Sequence, residues 1–254
     1  AQATQLIQRA AAKTVRILDV CYGLGYNTAA ALETIWAVNP TCRVEVVGLE
    51  LDATVPLAAI APPLLESWSS PVQHALRAIA QDYGCEWPNL QAKLWIGDAR
   101  QTIQQLAQTG FVADAILFDP FSPRRCPQLW TVEFFQQVAA CLSPKGTLAT
   151  YSRSASVRAA MQEAGLHIGT LPLTDADHLP HEWSQGTVAQ HHAAELIPLS
   201  VMEQEHLRTC AAIPYRDPTL ADSAAEILAR HAQEQQQATD RESTSNWRRR
   251  WGIQ

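Results

Sequence analysis

"VRILDVCYGLGYN", residues 15–27, changes character twice within thirteen positions. An apolar run ends in Asp19, two glycines (Gly23 and Gly25) follow at once, and a helical pattern runs from about Thr28 to Ala37 before "NPT". That is a strand, a tight turn and a helix. Glycine lets the turn close and lets a ligand come near the backbone.

Further along, "RVEVVGLEL" (43–51) reads as a second buried strand with Glu50 at its tip. "LQAKLWIGDA" (90–99) is a third, ending in Asp98, "ADAILFD" (113–119) a fourth, ending in Asp119, and "GTLATYS" (146–152) a fifth. "HIGTLPL" and "GTVAQH" are weaker strand candidates. "ARQTIQQLAQTG", "TVEFFQQVAACLSPKG" and "SVRAAMQEAG" are helical, each closed by glycine, the second also by Pro144. The stretch 53–88 carries helical patches among clustered prolines. Alternating strands and helices imply an α/β fold, a mostly parallel sheet with helices on both faces. Ligands of such sheets bind beyond the carboxyl ends of the strands. Those ends carry Asp19, Glu50, Asp98 and Asp119.

The chain has 254 residues, 47% of them hydrophobic, enough for one large domain with an appendage. The expected division is 1–200 for the α/β domain and 201–254 for a C-terminal extension. In the extension one helix is expected, about Ser223 to Gln237, followed by a polar terminus. No apolar run is long enough to cross a bilayer, and no signal peptide precedes Asp19. The first residue is Ala1, as in a chain that starts inside a longer one. Six scattered cysteines without a CxxC pair fit a reducing cytoplasm. A net charge of −6 argues mildly against nonspecific nucleic-acid binding, though not against a local basic face.

The turn at 19–27 lacks the third glycine, near Thr28, that a dinucleotide pyrophosphate requires. Glu50 can accept both hydrogens of a ribose diol, or it is a solvated loop acid. Asp98 can accept from an adenine amino group, or cap the helix that starts at Ala99; the two roles are compatible. Among His178, His181, His191 and His192, "HLPH" has a proline between its histidines and no third ligand, so no metal is expected.

Glycines at the first strand end, acids at the second and third, and Asp-Pro-Phe at the fourth resemble the class I S-adenosylmethionine-dependent methyltransferases over about 15–170. "DPFSPRRCPQLW" (119–130) narrows this. With "GLGYN", "KGTLATYS" and "SVRAAMQEAG" it resembles the methyltransferase half of the bifunctional tRNA 5-methylaminomethyl-2-thiouridine biosynthesis enzymes and their stand-alone relatives. The resemblance implies a seven-stranded sheet with its last strand reversed. It implies S-adenosylmethionine bound by Asp19, Tyr22, Gly23, Gly25, Asn27, Glu50, Asp98, Ala99 and Asp119. It implies N-methylation of 5-aminomethyluridine, or its 2-thio form, at the tRNA wobble position. This chain is too short to hold the flavin oxidase of the bifunctional enzymes, so no FAD is implied, and a separate enzyme supplies the aminomethyl group. Where that family has a further glycine this chain has Cys21, tolerable if its backbone avoids positive φ.

The acceptor chemistry explains the stiff segment after Asp119. An alkylamine resembles lysine, with a pKa of about 10.4, and is mostly protonated at neutral pH. Only the neutral amine can attack a methyl group. Asp119 can accept its N–H bonds, aim the lone pair and take the proton. Pro120 and Pro123 fix the turn, and Phe121 offers an apolar wall or a stacking face for the base. Arg124, Arg125, Arg153 and Arg158 are candidate phosphate contacts. Tyr215 and Arg216, in the stiff "IPYRDP" (213–218), are candidate substrate contacts, and "NWRRRW" (246–251) suits phosphate and base. The rival readings are a methyltransferase for a small-molecule or protein amine, and a non-catalytic cofactor-binding protein.

Overall fold

The computed structural model describes residues 2–171 and 183–253. The chain runs α1 (Leu6–Arg9), β1 (Thr14–Val20), α2 (Tyr26–Val38), β2 (Arg43–Glu50), α3 (Thr54–Ala59), α4 (Ser70–Asp82), β3 (Gly84–Trp87), β4 (Leu90–Ile96) and α5 (Ala99–Gln108). It continues through β5 (Ala113–Phe118), α6 (Val132–Ala140), β6 (Leu142–Thr150), α7 (Ala155–Glu163), β7 (His167–Gly169), β8 (Thr187–Gln190), α8 (Val201–His206), α9 (Ala224–Gln237) and α10 (Thr244–Trp251). It forms two compact units: residues 1–119 with 141–149, and residues 120–140 with 150–254.

In the first unit the strand order is β3-β4-β2-β1-β5-β6. The pairs β1–β2, β1–β5, β2–β4 and β5–β6 are parallel. The strands are apolar because both faces are covered: Ile17, Val44, Val46, Leu90 and Ala115 pack on one face with Leu32 and Ile35 of α2 and Val72, Leu76 and Ile79 of α4, and the alternate residues Leu18, Val47, Leu49 and Ile116 are buried as well. The spacing of the α4 residues places them on one helix face. Register sets the site. Asp19 lies level with Gly48 and Leu117, and Glu50 with Ile96, so the four strand tips end together. Strand order turns back at β1, with β2 on one side and β5 on the other, which is where such sheets open a ligand crevice.

The chain has eight described strands rather than the seven expected. The addition is β3, antiparallel to β4 through a hairpin with Trp87 opposite Leu90. Gly84 permits it: a Cβ there would sit 2.2 Å from the Ala92 carbonyl oxygen. β6 also starts earlier than expected. Between Ala113 and Ala115, β5 advances two residues while β6 advances from Leu142 to Thr147, so "SPKG" bulges within the strand instead of merely ending the helix before it.

In the second unit β7 and β8 form an antiparallel pair. Its buried side chains include Trp130, Phe134, Phe135, Met161, Met202 and Trp247. Two capping boxes start α8 and α9, Ser200 with Glu203 and Ser223 with Glu226. The polar terminus expected after α9 is helical. Ser243 caps α10, Trp247 is fully buried and stacks on His206 (4.2 Å, 18°), and Arg250 pairs with Glu205 and Glu242. "NWRRRW" is therefore first an anchor for the terminus. No helix among the described residues is long and apolar enough to cross a membrane.

Candidate active site

The turn after β1 is built on left-handed backbone at Cys21 (φ +65°), Gly23 (φ +55°) and Gly25 (φ +74°). Cys21 thus sits at the positive φ that the sequence reading required it to avoid, a cost of about 1 kcal/mol. Tyr22, expected at the cofactor, is buried beneath two glycines. A Cβ at Gly25 would lie 2.5 Å from the Tyr22 hydroxyl, and one at Gly48 2.8 Å from its ring. Its side chain packs the turn from inside, and the glycines let the backbone lie flat on it.

Three carboxylates converge beyond β1, β2 and β5. Asp19 is fully buried; its Oδ2 accepts from the Thr28 hydroxyl (2.7 Å), and its Oδ1 has no partner among the described residues. Burial pushes its pKa up to about 7, and the negative charges of Asp119 and Glu50 add to the rise against the Thr28 bonds. Glu50 accepts from the Gly23 N–H (2.7 Å) on one oxygen and from the N–H groups of Leu51 (2.9 Å) and Asp52 (3.0 Å) on the other. Asp119 is exposed and accepts from the Asn27 side-chain amide (3.0 Å), while its own N–H donates to the Val20 carbonyl (3.2 Å). Asn27, expected among the cofactor residues, holds the carboxylate at the tip of β5.

Asp98 caps α5, accepting from the Arg100 N–H (2.9 Å), and pairs with the Arg100 guanidinium (2.7 Å). Burial alone would raise its pKa, but the Arg100 bonds outweigh that and hold it low. Ala99 is buried in the first turn of α5. A buried, unpartnered carboxylate oxygen flanked by two more acids suits an ammonium group. Glu50 retains lone-pair capacity for a hydroxyl. The glycine turn gives backbone access. This set of acceptors fits S-adenosylmethionine, which carries an amino group and a ribose diol.

Phe121, the second residue of the second unit, is 73% exposed, with the Arg125 guanidinium carbon 5.4 Å from the ring centroid. Arg124 and Arg125 are exposed. Arg153 is exposed too, lying 5.7 Å over the Trp183 ring and donating to the Ser184 carbonyl (3.3 Å). Arg158 is not a surface contact. It is fully buried, bonded to Glu203 (3.0 Å), Ser184 (3.0 Å) and Thr187 (2.8 Å), because a guanidinium inside a protein needs its charge and donors matched. Tyr215 is likewise inside, stacked on His231 (4.0 Å, 20°), with its carbonyl accepting from the Val132 N–H (3.1 Å). Arg216 pairs with Glu163 (2.6 Å) and Glu234 (3.6 Å). "IPYRDP" therefore braces α6 and α7. The Tyr151 hydroxyl, which the sequence did not single out, donates to the Pro120 carbonyl (2.9 Å). Among the described residues no cluster of three or more His, Cys, Asp or Glu could hold a metal; His178 and His181 lie outside them.

Residues 57–174 match a family model described as S-adenosyl-L-methionine-dependent methyltransferase. The crystal structure of MnmC2 from Aquifex aeolicus is similar over 93% of this chain and 73% of that chain, with 30% identity and a TM-score of 0.76. An uncharacterized protein of Methanocaldococcus jannaschii is 25% identical over 227 residues, 84% of this chain and 57% of that protein. The tRNA 5-methylaminomethyl-2-thiouridine biosynthesis bifunctional protein MnmC of Ralstonia nicotianae is 34% identical over 116 residues, 46% of this chain and 16% of that protein. The chain thus matches little more than half of the first of these curated relatives and a sixth of the second. Fold, strand-end carboxylates and similarity agree: the chain belongs to the MnmC2 family of S-adenosyl-L-methionine-dependent methyltransferases.

Proposed function

We propose that the protein N-methylates the 5-aminomethyl group of a wobble uridine, or its 2-thio form, in tRNA. The observation that carries this reading is Asp119, an exposed carboxylate at the tip of β5 held by Asn27, followed by Pro120 and the exposed Phe121. S-adenosylmethionine supplies the electrophilic methyl group. Asp19 and Glu50 hold its amino group and ribose, and the turn at Gly23 and Gly25 lets it approach the backbone. Asp98 and Ala99 border the adenine end.

Asp119 accepts N–H bonds from the substrate amine, orients its lone pair and receives the proton released on attack. A carboxylate also stabilises the ammonium form, so the neutral amine is gained by excluding water around it. Most of the rate comes from orientation. Phe121 gives the uracil an apolar face, and Arg124, Arg125 and Arg153 meet the flanking phosphates. Methyl transfer is the reaction of residues 1–200 in this reading.

The test is transfer of labelled methyl from S-adenosylmethionine to tRNA from cells that accumulate the aminomethyl nucleoside. Label should enter RNase-sensitive material. Label entering protein or small amines instead would support the rival acceptors.

A further inference from the structure

Phe121 presents a puzzle. The residue is 73% exposed, and an exposed side chain has little packing to hold its direction. Yet a stacking face is useful only if its direction is fixed.

The backbone on both sides of it is fixed. The Tyr151 hydroxyl donates to the Pro120 carbonyl (2.9 Å), and the Trp130 indole N–H donates to the Phe121 carbonyl (2.7 Å). The Pro120 oxygen belongs to the peptide plane before the Phe121 Cα, and the Phe121 oxygen to the plane after it. Two pinned planes set φ and ψ, and hence the direction of the Cα–Cβ bond. The donors are themselves braced. Trp130 is fully buried and meets Tyr151 edge to face (6.1 Å, 89°) and Phe135 likewise (6.3 Å, 62°). Neighbouring backbone closes the loop, as the Arg125 and Cys126 N–H groups both donate to the Ser122 carbonyl (2.8 and 3.0 Å).

We propose that Trp130 and Tyr151 are positioning residues for the acceptor, a pair of aromatic donors whose bonds to two consecutive carbonyls aim Phe121. This deepens the proposed function and rests on it for the kinetic consequence. The clamp itself does not depend on which acceptor is used.

The test is a double-mutant cycle in the full-length chain. Tyr151→Phe removes one oxygen from a half-exposed side chain and keeps the ring contact with Trp130. It should lower kcat for tRNA about tenfold, with S-adenosylmethionine affinity and unfolding midpoint unchanged. In a Phe121→Ala background it should have no further effect, because there is no ring left to aim. An equal tenfold loss in that background, or no loss in the wild-type background, would overturn the proposal. Carbon-13 relaxation of labelled Phe121 gives a readout that needs no substrate: the side chain should be ordered in the parent and looser in Tyr151→Phe. Equal order in both would overturn the clamp. Lack of any transfer to tRNA by the parent would instead count against the proposed acceptor, while the relaxation result would still decide the clamp.

Discussion

The Asn27 amide nitrogen lies 3.0 Å from Oδ2 of Asp119, joining the start of α2 to the tip of β5. The bond turns an exposed carboxylate into a directed one. It uses one oxygen; in the proposed reaction the other receives the amine.

Replacing Asn27 by Ala should therefore lower methyl transfer by roughly ten- to a hundredfold, less than the about 10²–10⁴-fold that a positioned acid–base group itself contributes, because Asn27 only orients it. Binding of S-adenosylmethionine, measured by calorimetry, should fall much less. A loss confined to cofactor affinity would place Asn27 at the cofactor instead.

The buried Asp19 makes a pH-dependent prediction. Its folded pKa, about 7, exceeds the ordinary 3.8, so the folded protein binds the extra proton between those values. Stability contributed by this group is present at low pH and is lost as pH rises toward 7, by ~4 kcal/mol at the limit. Unfolding of Asp19→Asn followed from pH 5 to 8 should show the variant gaining on the parent as pH rises. Cofactor affinity of the parent should move the other way, increasing through pH 7 as Asp19 ionises toward an ammonium partner.

The turn glycines and Cys21 should behave oppositely. Gly25→Ala forces a Cβ to within 2.5 Å of the Tyr22 hydroxyl at φ +74°, and should destabilise the fold by ~1–3 kcal/mol and weaken cofactor binding. Cys21→Gly removes a left-handed non-glycine residue and should stabilise by up to ~1 kcal/mol, read by denaturant unfolding.

Arg158 and Arg124 separate structure from recognition. Arg158→Met leaves Glu203 buried without its charge partner and should cost ~3–5 kcal/mol of stability. Arg124→Ala with Arg125→Ala should leave the unfolding midpoint in place, weaken tRNA binding and flatten its salt dependence. A stable Arg158→Met protein with weak tRNA binding would return Arg158 to the RNA surface.

What the sequence discloses, and what it hides, follows from the range of the interactions. β1, β2, β4 and β5 are legible because each is an apolar run closed by an acid, and parallel register then brings those acids to one edge. α9 is legible from Ser223 and its amphipathic pattern. β3 is hidden because four residues beside Pro88 carry no period, and only pairing with β4 makes them a strand. Arg158 and Tyr215 look like surface chemistry because their partners, Glu203 and His231, lie far along the chain. Asn27 sits in the right motif, but its bond to Asp119 spans 92 positions, which no local pattern records. "NWRRRW" resembles an RNA-binding tail until Trp247 is seen stacked on His206.

The most direct measurement is mass analysis of nucleosides from tRNA carrying 5-aminomethyluridine, after incubation with S-adenosylmethionine and either the parent protein or Asp119→Ala. The expected result is conversion to the 5-methylaminomethyl nucleoside by the parent, and roughly hundredfold or more slower conversion by the variant at equal cofactor binding. Conversion at the same rate by both would contradict the role of Asp119. A cofactor-loaded parent that leaves the nucleoside unchanged would contradict the acceptor.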